Sequence, residues 1–399
     1  MGNERSAAGG GNSSSRLVLA KKWKGAVSKM GLSLSSWFSG PFLTAGTRVQ
    51  ERRCPSEERG TAGCSGSTGW PFPRFISLFF PVFPYKSQGM AQEFQDVEFI
   101  AKGSLGPILK ARRRTDKKIY AVKVLLKTEV VRQGILEQCI DGVVIQRQVL
   151  HPFVQGLREC WQTSRLLFIM CDYHCAGDLS RLWSDRKPLA ESRVQVFAAE
   201  LGSAIGFLHD FGVIHRDVKM ENVLLTEWGE NLTPSRSCSH IMLTDFGLSH
   251  RLWRGERAHT ICGTVQYMAP EVLRGSPYNH SADWWSLGVL LYALATGEFP
   301  VESQCDHVSM WKSLQRVHVS PPTFVSQDLA FLLSELLCPD PWLRLHRLDA
   351  FSEQRFFSGL SFDPELLHRQ PVEFSIPTGD QPQPSPYPLL FPGFDWQAE

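Results

Sequence analysis

The sequence predicts a two-lobed α+β domain, because a β-rich segment precedes a longer helical one. The segments DVEFIAKGSLGPILKA and KKIYAVKVLL, between residues 96 and 126, indicate three strands joined by a glycine turn and a second turn. Helical periodicity dominates from about residue 190, in SRVQVFAAELGSAIGFLHDFG, HSADWWSLGVLLYALATG and SQDLAFLLSELL. A chain of 399 residues, 43% of them apolar, is long enough for one large domain with a tail at each end.

Two further elements belong to the β-rich lobe. Residues 129–150 have helical character, and RLLFIMCDY (165–173) indicates a buried strand. Gly, Ser and Pro are frequent before the domain, and Pro and Gln are frequent after it. We therefore predict a largely disordered basic region over residues 1–90, a folded domain over 91–357 and a tail over 358–399.

The N-terminal region contains three exceptions to this description. Residues 19–37 carry apolar side chains at spacings of three and four with lysines off that face, which predicts a helix for membrane contact. MGNERS matches the N-myristoylation pattern at Gly2; the alternative is a solvated tail. WPFPRFISLFFPVFPYK (70–86) is too rich in proline for a long helix, and we expect it to pack on the domain as an extended strap.

Composition narrows the class of protein. A net charge of +2 argues against a general nucleic-acid binder, so no nucleic acid is expected as a partner. The ten cysteines lack zinc-site spacing and indicate reduced thiols in a cytoplasmic protein. No stretch is long and apolar enough to span a bilayer, and no secretory signal is recognisable.

Six short segments carry polar groups suited to phosphate chemistry, in a fixed order along the chain. GSLG (103–106) joins two strands, so its backbone can approach phosphates closely. AVK places Lys123 on a buried strand, where an ammonium requires an anionic partner. HRDVKMEN (215–222) and DFG (245–247) supply carboxylates, and MAPE (268–271) and DWWSLG (283–288) complete the series.

This ordered set resembles that of a eukaryotic protein kinase, over roughly residues 96–357. The resemblance implies a two-lobed kinase fold that transfers the γ-phosphoryl group of ATP to Ser or Thr of protein substrates. It implies that Asp217 is the catalytic base, that Lys219 neutralises charge on the moving phosphoryl group, and that Asn222 and Asp245 hold Mg²⁺. It also implies a nucleotide site, formed by Ala101, Gly103, Gly106, Ile108, Ala121, Lys123 and Met170.

Within the kinases, the sequence is most similar to the AGC group and its ribosomal protein S6 kinase-related branch. The similarity is carried by HPFV, FIMC, TICGTVQYMAPEVL, HSADWWSLGVLL and FDPELL, which begins an AGC-like C-terminal tail. The resemblance implies that Thr260 is phosphorylated by an upstream activating kinase, with Arg216 taking its charge. It also implies that Asp178 and Glu221 give a modest preference for Arg three residues before the target.

FPGFDW (391–396) resembles the C-terminal hydrophobic motif of the AGC group. Phe391, Phe394 and Trp396 take the aromatic places, and Asp395 takes the phosphosite with a standing negative charge. We expect these aromatics to fill a groove on the β-rich lobe. The alternatives are a solvated end, or docking on an upstream kinase.

Two departures from the family pattern bear on activity. Ala101 replaces the first glycine of the Gly-rich loop, which is a mild change. The glutamate that the family uses to pair with the strand lysine falls on Gly142, and removing one partner of a buried pair costs roughly 3–5 kcal/mol. The alternative to an active kinase is therefore a pseudokinase, or a weakly active scaffold that keeps the fold.

Overall fold

A computed structural model describes a single folded unit of the chain. The chain divides into two units, Met1–Thr68 and Gly69–Glu399, and every described residue lies in the second. Gly2, the predicted helix 19–37 and the aromatic segment 391–396 lie outside the described residues. The structure describes residues 74–87, 90–103, 105–227, 238–316, 319 and 321–369.

The β-rich lobe contains a five-stranded antiparallel sheet in the order β1-β2-β3-β5-β4. Its strands are β1 (Phe94–Lys102), β2 (Pro107–Arg113), β3 (Ile119–Leu126), β4 (Leu157–Gln162) and β5 (Leu166–Asp172). Two short helices precede the sheet and two lie between β3 and β4: α1 (Arg74–Ser77), α2 (Met90–Glu93), α3 (Lys127–Arg132) and α4 (Leu136–Gln148). The predicted strands and the helical segment after them are confirmed, with the helical segment broken near Gly134, where φ is +68°.

The two faces of this sheet have different roles. Alternate residues of β2, β3 and β5 pack into one buried apolar cluster, formed by Leu109, Ala111, Tyr120, Val122, Val124, Phe168 and Met170 with Met90, Phe94, Trp161 and Leu166. The intervening residues of the same strands, including Lys123, lie on the other face. The sheet therefore presents Lys123 towards the helical lobe, where it meets Asp245.

The helical lobe is built around α6 and α8. Gly297, with φ +81°, ends α8 as the left-handed residue that follows many helices. The predicted helices over these segments are confirmed. The helices of this lobe are α5 (Leu179–Arg186), α6 (Glu191–Asp210), α7 (Pro270–Leu273), α8 (Ser281–Thr296), α9 (His307–Arg316), α10 (Gln327–Leu336), α11 (Leu348–Ser352) and α12 (Pro364–His368). No helix among the described residues is both long enough and apolar enough to cross a bilayer.

Two small antiparallel pairs position the loops between the lobes. One joins β6 (Val213–Ile214) to β9 (His250–Arg251), and the other joins β7 (Val223–Glu227) to β8 (Cys238–Leu243). The loop from β6 to β7 contains HRDVKMEN, and the loop from β8 to β9 contains DFG. The pairing therefore brings the two motifs side by side.

A buried ion pair ties the segment MAPE to the end of the helical lobe. Arg344 Nη1 lies 2.7 Å from Glu271 Oε1, and Arg344 Nη2 lies 2.9 Å from Glu271 Oε2. The side chains are 0% and 4% exposed, respectively.

Residues 74–87 differ from the disorder expected over 1–90, since they fold against the β-rich lobe. They form α1 and a turn, and continue along the edge of the sheet beside β4. Phe79 and Phe83 are fully buried, which provides the reason for folding, because two aromatics are removed from water. The predicted packing of this segment on the domain is confirmed, but its predicted extended conformation is found only after Phe83, since residues 74–82 form a helix and turns.

Candidate active site

Three polar side chains surround the Asp217 carboxylate, two from the loop between β6 and β7 and one, Thr264, from the later activation segment. Thr264 Oγ1 donates to Asp217 Oδ1 at 2.8 Å, and Asn222 Nδ2 donates to Asp217 Oδ2 at 3.0 Å. Lys219 Nζ lies 2.9 Å from Asp217 Oδ2 and 2.8 Å from Thr264 Oγ1. The carboxylate is thereby held by three donors in one orientation, between an ammonium and a hydroxyl.

The Asp283 carboxylate, in α8, fixes the backbone of this loop, a role that was not predicted from the sequence. Asp283, in α8, is 1% exposed and accepts hydrogen bonds from the backbone N–H groups of His215 and Arg216, both at 2.8 Å. Arg216 has φ +67°, a strained value for a non-glycine residue. His209 Nε2 lies 2.8 Å from Asp283 Oδ2. The motif DWWSLG contains this aspartate, but the motif alone does not indicate which backbone groups the carboxylate accepts hydrogen bonds from.

Lys123 and Asp245 form the ion pair that joins the two lobes. Lys123 Nζ lies 2.8 Å from Asp245 Oδ1, and Gly247 N–H donates to the same oxygen at 3.1 Å. Burial alone would raise the pKa of the Asp245 carboxyl, but the charge of Lys123 and these hydrogen bonds outweigh it and lower that pKa to about 2. Burial opposes the charge of Lys123, but Asp245 raises its pKa above the usual value. The half-buried ammonium of Lys123 thus has the anionic partner that its place in the sequence predicts, but this partner lies in a loop and not on a helix.

The glycine turn brings most of the predicted nucleotide residues together. Gly103 N–H donates to Gly106 O at 2.9 Å, and Ala101 pairs with Ile108 across the hairpin. A Cβ on Gly106 would lie 2.1 Å from Val124 O, so only glycine fits there. A Cβ placed on Gly103 would lie 3.8 Å from Lys123 Cε and 3.9 Å from Ile108 Cγ1, so the turn lies over the lysine. Ala121 shares the face of Lys123, two residues along β3.

Met170 is the exception, and its assignment to the nucleotide site is wrong. Met170 pairs with Val122 and packs with it in the apolar cluster on the opposite face of the sheet. Neighbouring residues of a strand point to opposite faces, so a one-residue error in register reverses the side chain. Cys171 pairs with Ala121 instead, and it interacts electrostatically with both Lys123 and Asp245. Cys171 therefore occupies the position on the site's face that the sequence reasoning gave to Met170.

Comparison with known proteins identifies the family. The sequence model described as "Protein kinase domain" matches residues 94–357 of the chain. The chain belongs to the protein kinase family. The kinase fold, with its β-rich and helical lobes, is confirmed.

Three relatives place this kinase more closely. The human protein named "Ribosomal protein S6 kinase-related protein" is 48% identical over 330 residues, which cover 83% of this chain and 78% of that protein. The "RAC family serine/threonine-protein kinase homolog" of Dictyostelium discoideum is 36% identical over 73% of this chain and 64% of its own length. Human "Serine/threonine-protein kinase Sgk2" is 36% identical over 70% of this chain and 74% of its own length. The predicted membership of the AGC group and its ribosomal protein S6 kinase-related branch is confirmed.

Gly142 marks the closest approach of α4 to the DFG segment of this kinase. A Cβ on Gly142 would lie 2.5 Å from Phe246 O, which is a backbone atom. One turn earlier on the same face, Gln138 Nε2 donates to Gly247 O at 2.7 Å. Asp141 faces away and lies 3.7 Å from His250 Nδ1, so it does not replace the missing glutamate. At the position where the family has a glutamate, α4 is therefore held by backbone contact between Gly142 and Phe246. The bond made by Gln138 was not predicted from the sequence.

We predict that Gly142→Glu, which restores the family residue, will lower both stability and kcat/KM. Replacing a glycine within a helix stabilises the helix by about 1 kcal/mol. Overpacking the new side chain against a backbone oxygen costs about 1–3 kcal/mol or more. The helix must move away from Phe246, and the contact of Gln138 moves with it. Melting temperature and kcat/KM are the measurements.

Gly156→Ala is the matched control for this substitution. Gly156 has no atom within 4 Å of the position of an added Cβ, so the variant should behave like the parent kinase. A Gly142→Glu kinase that is more active than the parent would show that α4 has room for the glutamate and that the helix contact does not limit the enzyme.

The predicted regulatory and substrate residues lie on two sides of this site. Thr260 is exposed, and its carbonyl accepts a hydrogen bond from the Tyr278 hydroxyl at 2.7 Å. Tyr278 also interacts with Arg216, whose Nε donates to Leu248 O at 2.5 Å. Asp178 begins α5, where its carboxylate accepts from the Arg181 N–H, while Glu221 is exposed beside Asn222.

Proposed function

We propose that this chain is an ATP-dependent serine/threonine protein kinase whose catalytic base is Asp217. The observation that carries the proposal is the set of three donors around the Asp217 carboxylate, with Thr264 among them. Relatives named as serine/threonine-protein kinases support the hydroxyl specificity. The pseudokinase alternative has no support from these relatives, and Gly142 has a separate explanation in its contact with Phe246.

The proposed reaction is attack by a substrate hydroxyl on the γ-phosphorus of ATP. The bond to the β–γ bridging oxygen breaks as the new P–O bond forms, and the hydroxyl proton passes to a carboxylate oxygen of Asp217. Lys219, 2.9 Å from that carboxylate, places a positive charge beside the transferring group. Thr264 bonds both residues and so fixes their separation.

Asn222 and Asp245 fit a magnesium site. Both carry side-chain oxygens, the ligands that Mg²⁺ prefers, and Asn222 bonds Asp217 through its nitrogen rather than its oxygen. The Thr244 N–H donates to Asn222 O at 2.9 Å, which holds the two ligand-bearing segments together. When bound, the ion would neutralise phosphate charge. Lys123 would hold the phosphates of ATP beneath the turn at Gly103 and Gly106.

The test is phosphate transfer by the purified full-length chain with Mg-ATP and a mixture of Ser, Thr and Tyr peptides. We expect labelled Ser and Thr, no labelled Tyr, and no product without Mg²⁺. The Asp217→Asn variant, purified in parallel, measures the background from contaminating kinases. A parent protein that transfers no more phosphate than this background would refute the proposal.

We further propose that phosphorylation of Thr260 by an upstream kinase activates the enzyme. Tyr278 contacts both Thr260 and Arg216, so a phosphate on Thr260 would lie near the Arg216 guanidinium. In the unphosphorylated structure this guanidinium donates to Leu248 O. Each charge-assisted bond contributes about 1.5–3 kcal/mol, so we expect Thr260→Ala protein from cells to be roughly tenfold less active or worse. Thr260→Ser keeps the acceptor hydroxyl and is the control. Full activity in Thr260→Ala would rule this mechanism out.

Two finer proposals concern substrates and location. Asp178 and Glu221 support a modest preference for Arg three residues before the target; a peptide library without this preference would contradict it. Gly2 with the basic segment 19–37 supports association of a cytoplasmic kinase with the membrane surface. An unchanged membrane fraction after Gly2→Ala would contradict that location.

A further inference from the structure

The strap, residues 74–87, occupies a groove on the β-rich lobe beside α4. Phe79 and Phe83 are both 0% exposed, and their rings meet edge to face with centroids 6.2 Å apart. The groove is formed by α3, α4 and the strands β3, β4 and β5. Its buried apolar residues are Leu125, Val130, Cys139, Val143, Cys160 and Leu167.

A fully buried lysine and a glutamine anchor the strap at its centre. Lys127 Nζ donates to Gln162 Oε1 at 2.7 Å and to Thr163 O at 2.5 Å, and it lies 5.4 Å from the centre of the Phe79 ring. Gln162 Nε2 donates to Phe83 O at 2.6 Å. Lys127 therefore holds the Gln162 amide in place, and that amide bonds the backbone of the strap.

The strap also extends the sheet and bonds α4 directly. The Gln162 N–H donates to Pro84 O, and the Lys86 N–H donates to Gln162 O, both at 2.9 Å, beside the edge strand β4. Arg147, in the last turn of α4, donates to Val82 O at 2.9 Å. The strap is therefore attached to both walls of the groove, the strand and the helix.

The same helix contacts the catalytic segment, through Gly142 at Phe246 O and through Gln138 at Gly247 O. We propose that the strap is an internal ligand that clamps α4 against the segment carrying Asp245, with Phe79 and Phe83 as positioning residues for catalysis. This inference rests on the proposed kinase activity. It reassigns the groove from the C-terminal aromatics Phe391, Phe394 and Trp396 to a segment that precedes the domain.

The two segments share a pattern, which makes the C-terminal one a competitor for the groove. FPVFPY (80–85) and FPGFDW (391–396) both read Phe-Pro-x-Phe-x-aromatic. In the described structure the groove already contains Phe83, from this pattern, and Phe79, one position before the pattern begins. The segment 391–396 would therefore have to displace the strap in order to enter it.

The experiment removes the two aromatics from the full-length kinase. Phe79→Ala with Phe83→Ala is expected to lower kcat/KM for ATP and peptide by about 5- to 150-fold, the usual range of a coupling between sites. Leu78→Ala, on the same segment but 44% exposed, is the matched control and should leave activity unchanged. Phe79→Leu keeps most of the apolar volume and should show a smaller change in the same direction.

Cys160 reports directly on whether the strap is in place. Its thiol is buried, donates to Val82 O at 3.2 Å, and has its pKa raised chiefly by burial. Alkylation mapped by mass spectrometry should therefore be faster at Cys160 in the double variant, with the exposed Cys305 as the internal reference. A synthetic peptide of residues 74–87 should restore both the protection of Cys160 and the activity.

The outcomes separate this inference from the proposed function. Full activity of the double variant together with fast alkylation of Cys160 would overturn the positioning role. Alkylation and activity that are unchanged in both the double variant and Phe79→Leu would also overturn it. Better rescue by a peptide of residues 388–399 than by the strap peptide would return the groove to the C-terminal aromatics. A parent that is inactive on all peptides, with Cys160 still protected, would refute the proposed function alone.

Discussion

Asp217→Asn is expected to reduce kcat by about 10²–10⁴-fold, the usual contribution of a positioned general base. The substitution keeps the size of the side chain but removes the charge and the ability to accept a proton. It also places an amide group opposite the donors of Asn222 and Lys219, which now hold the carboxylate at 3.0 and 2.9 Å. The measurement is kcat with saturating Mg-ATP, together with the melting temperature to confirm that the variant is folded.

Asp185→Asn is the matched control for the catalytic substitution, because Asp185 is an exposed aspartate at the end of α5. Its activity should equal that of the parent. A loss of only a few-fold in Asp217→Asn, in a preparation free of other kinases, would show that the carboxylate orients the hydroxyl without taking its proton.

Arg344→Met is expected to destabilise the domain by about 3–5 kcal/mol, because it leaves the Glu271 carboxylate buried without its partner. The guanidinium also donates to three backbone carbonyls, those of Ser281, Cys338 and Pro339, so the substitution removes their donors as well. For a domain of this size the loss corresponds to a fall in melting temperature of roughly 6–20 °C.

Arg347→Met is the control for this substitution, since Arg347 pairs with Asp349 at the surface, where the side chains are 70% and 59% exposed. Exposed pairs contribute about 0–1 kcal/mol, so its melting temperature should be close to that of the parent. Equal melting temperatures for Arg344→Met and Arg347→Met would mean that the buried pair adds nothing beyond what a packed apolar side chain provides. Such replacements can be neutral when both charges are removed together, so Arg344→Met with Glu271→Leu should recover part of the loss.

The sequence predicted most of the chemistry because kinase motifs are short and local. HRDVKMEN places Asp217, Lys219 and Asn222 within six residues, and the resemblance to protein kinases placed Gly103, Gly106 and Lys123 in one nucleotide site. Asp245, the partner of Lys123, was also among the predicted residues, but only the fold shows that the two side chains form an ion pair. Asp217 and Asp245 are brought near each other because the β6-β9 and β7-β8 pairs place their loops side by side.

The parts that sequence could not predict depend on contacts between distant segments or on register. Asp283 reaches His215 across 68 positions, and its burial is visible only once α8 is packed. Met170 was misassigned because a pleated strand reverses its side chains every residue, and a continuous apolar run gives no signal for which residue faces the site. The strap was recognised as a segment, but nothing in its sequence indicated that Phe79 and Phe83 would fill the groove beside α4.

The position of the strap changes where this kinase domain begins. The family match starts at residue 94, eleven positions after Phe83. A truncated protein that starts at the family boundary would lack both aromatics, which would expose the apolar wall of the groove and remove Phe83 O, the acceptor of Gln162 Nε2. Such a fragment would aggregate readily and would understate the activity of the kinase. The folding unit begins no later than residue 74, so expression of the catalytic domain, and any comparison of its activity with that of its relatives, should include the strap.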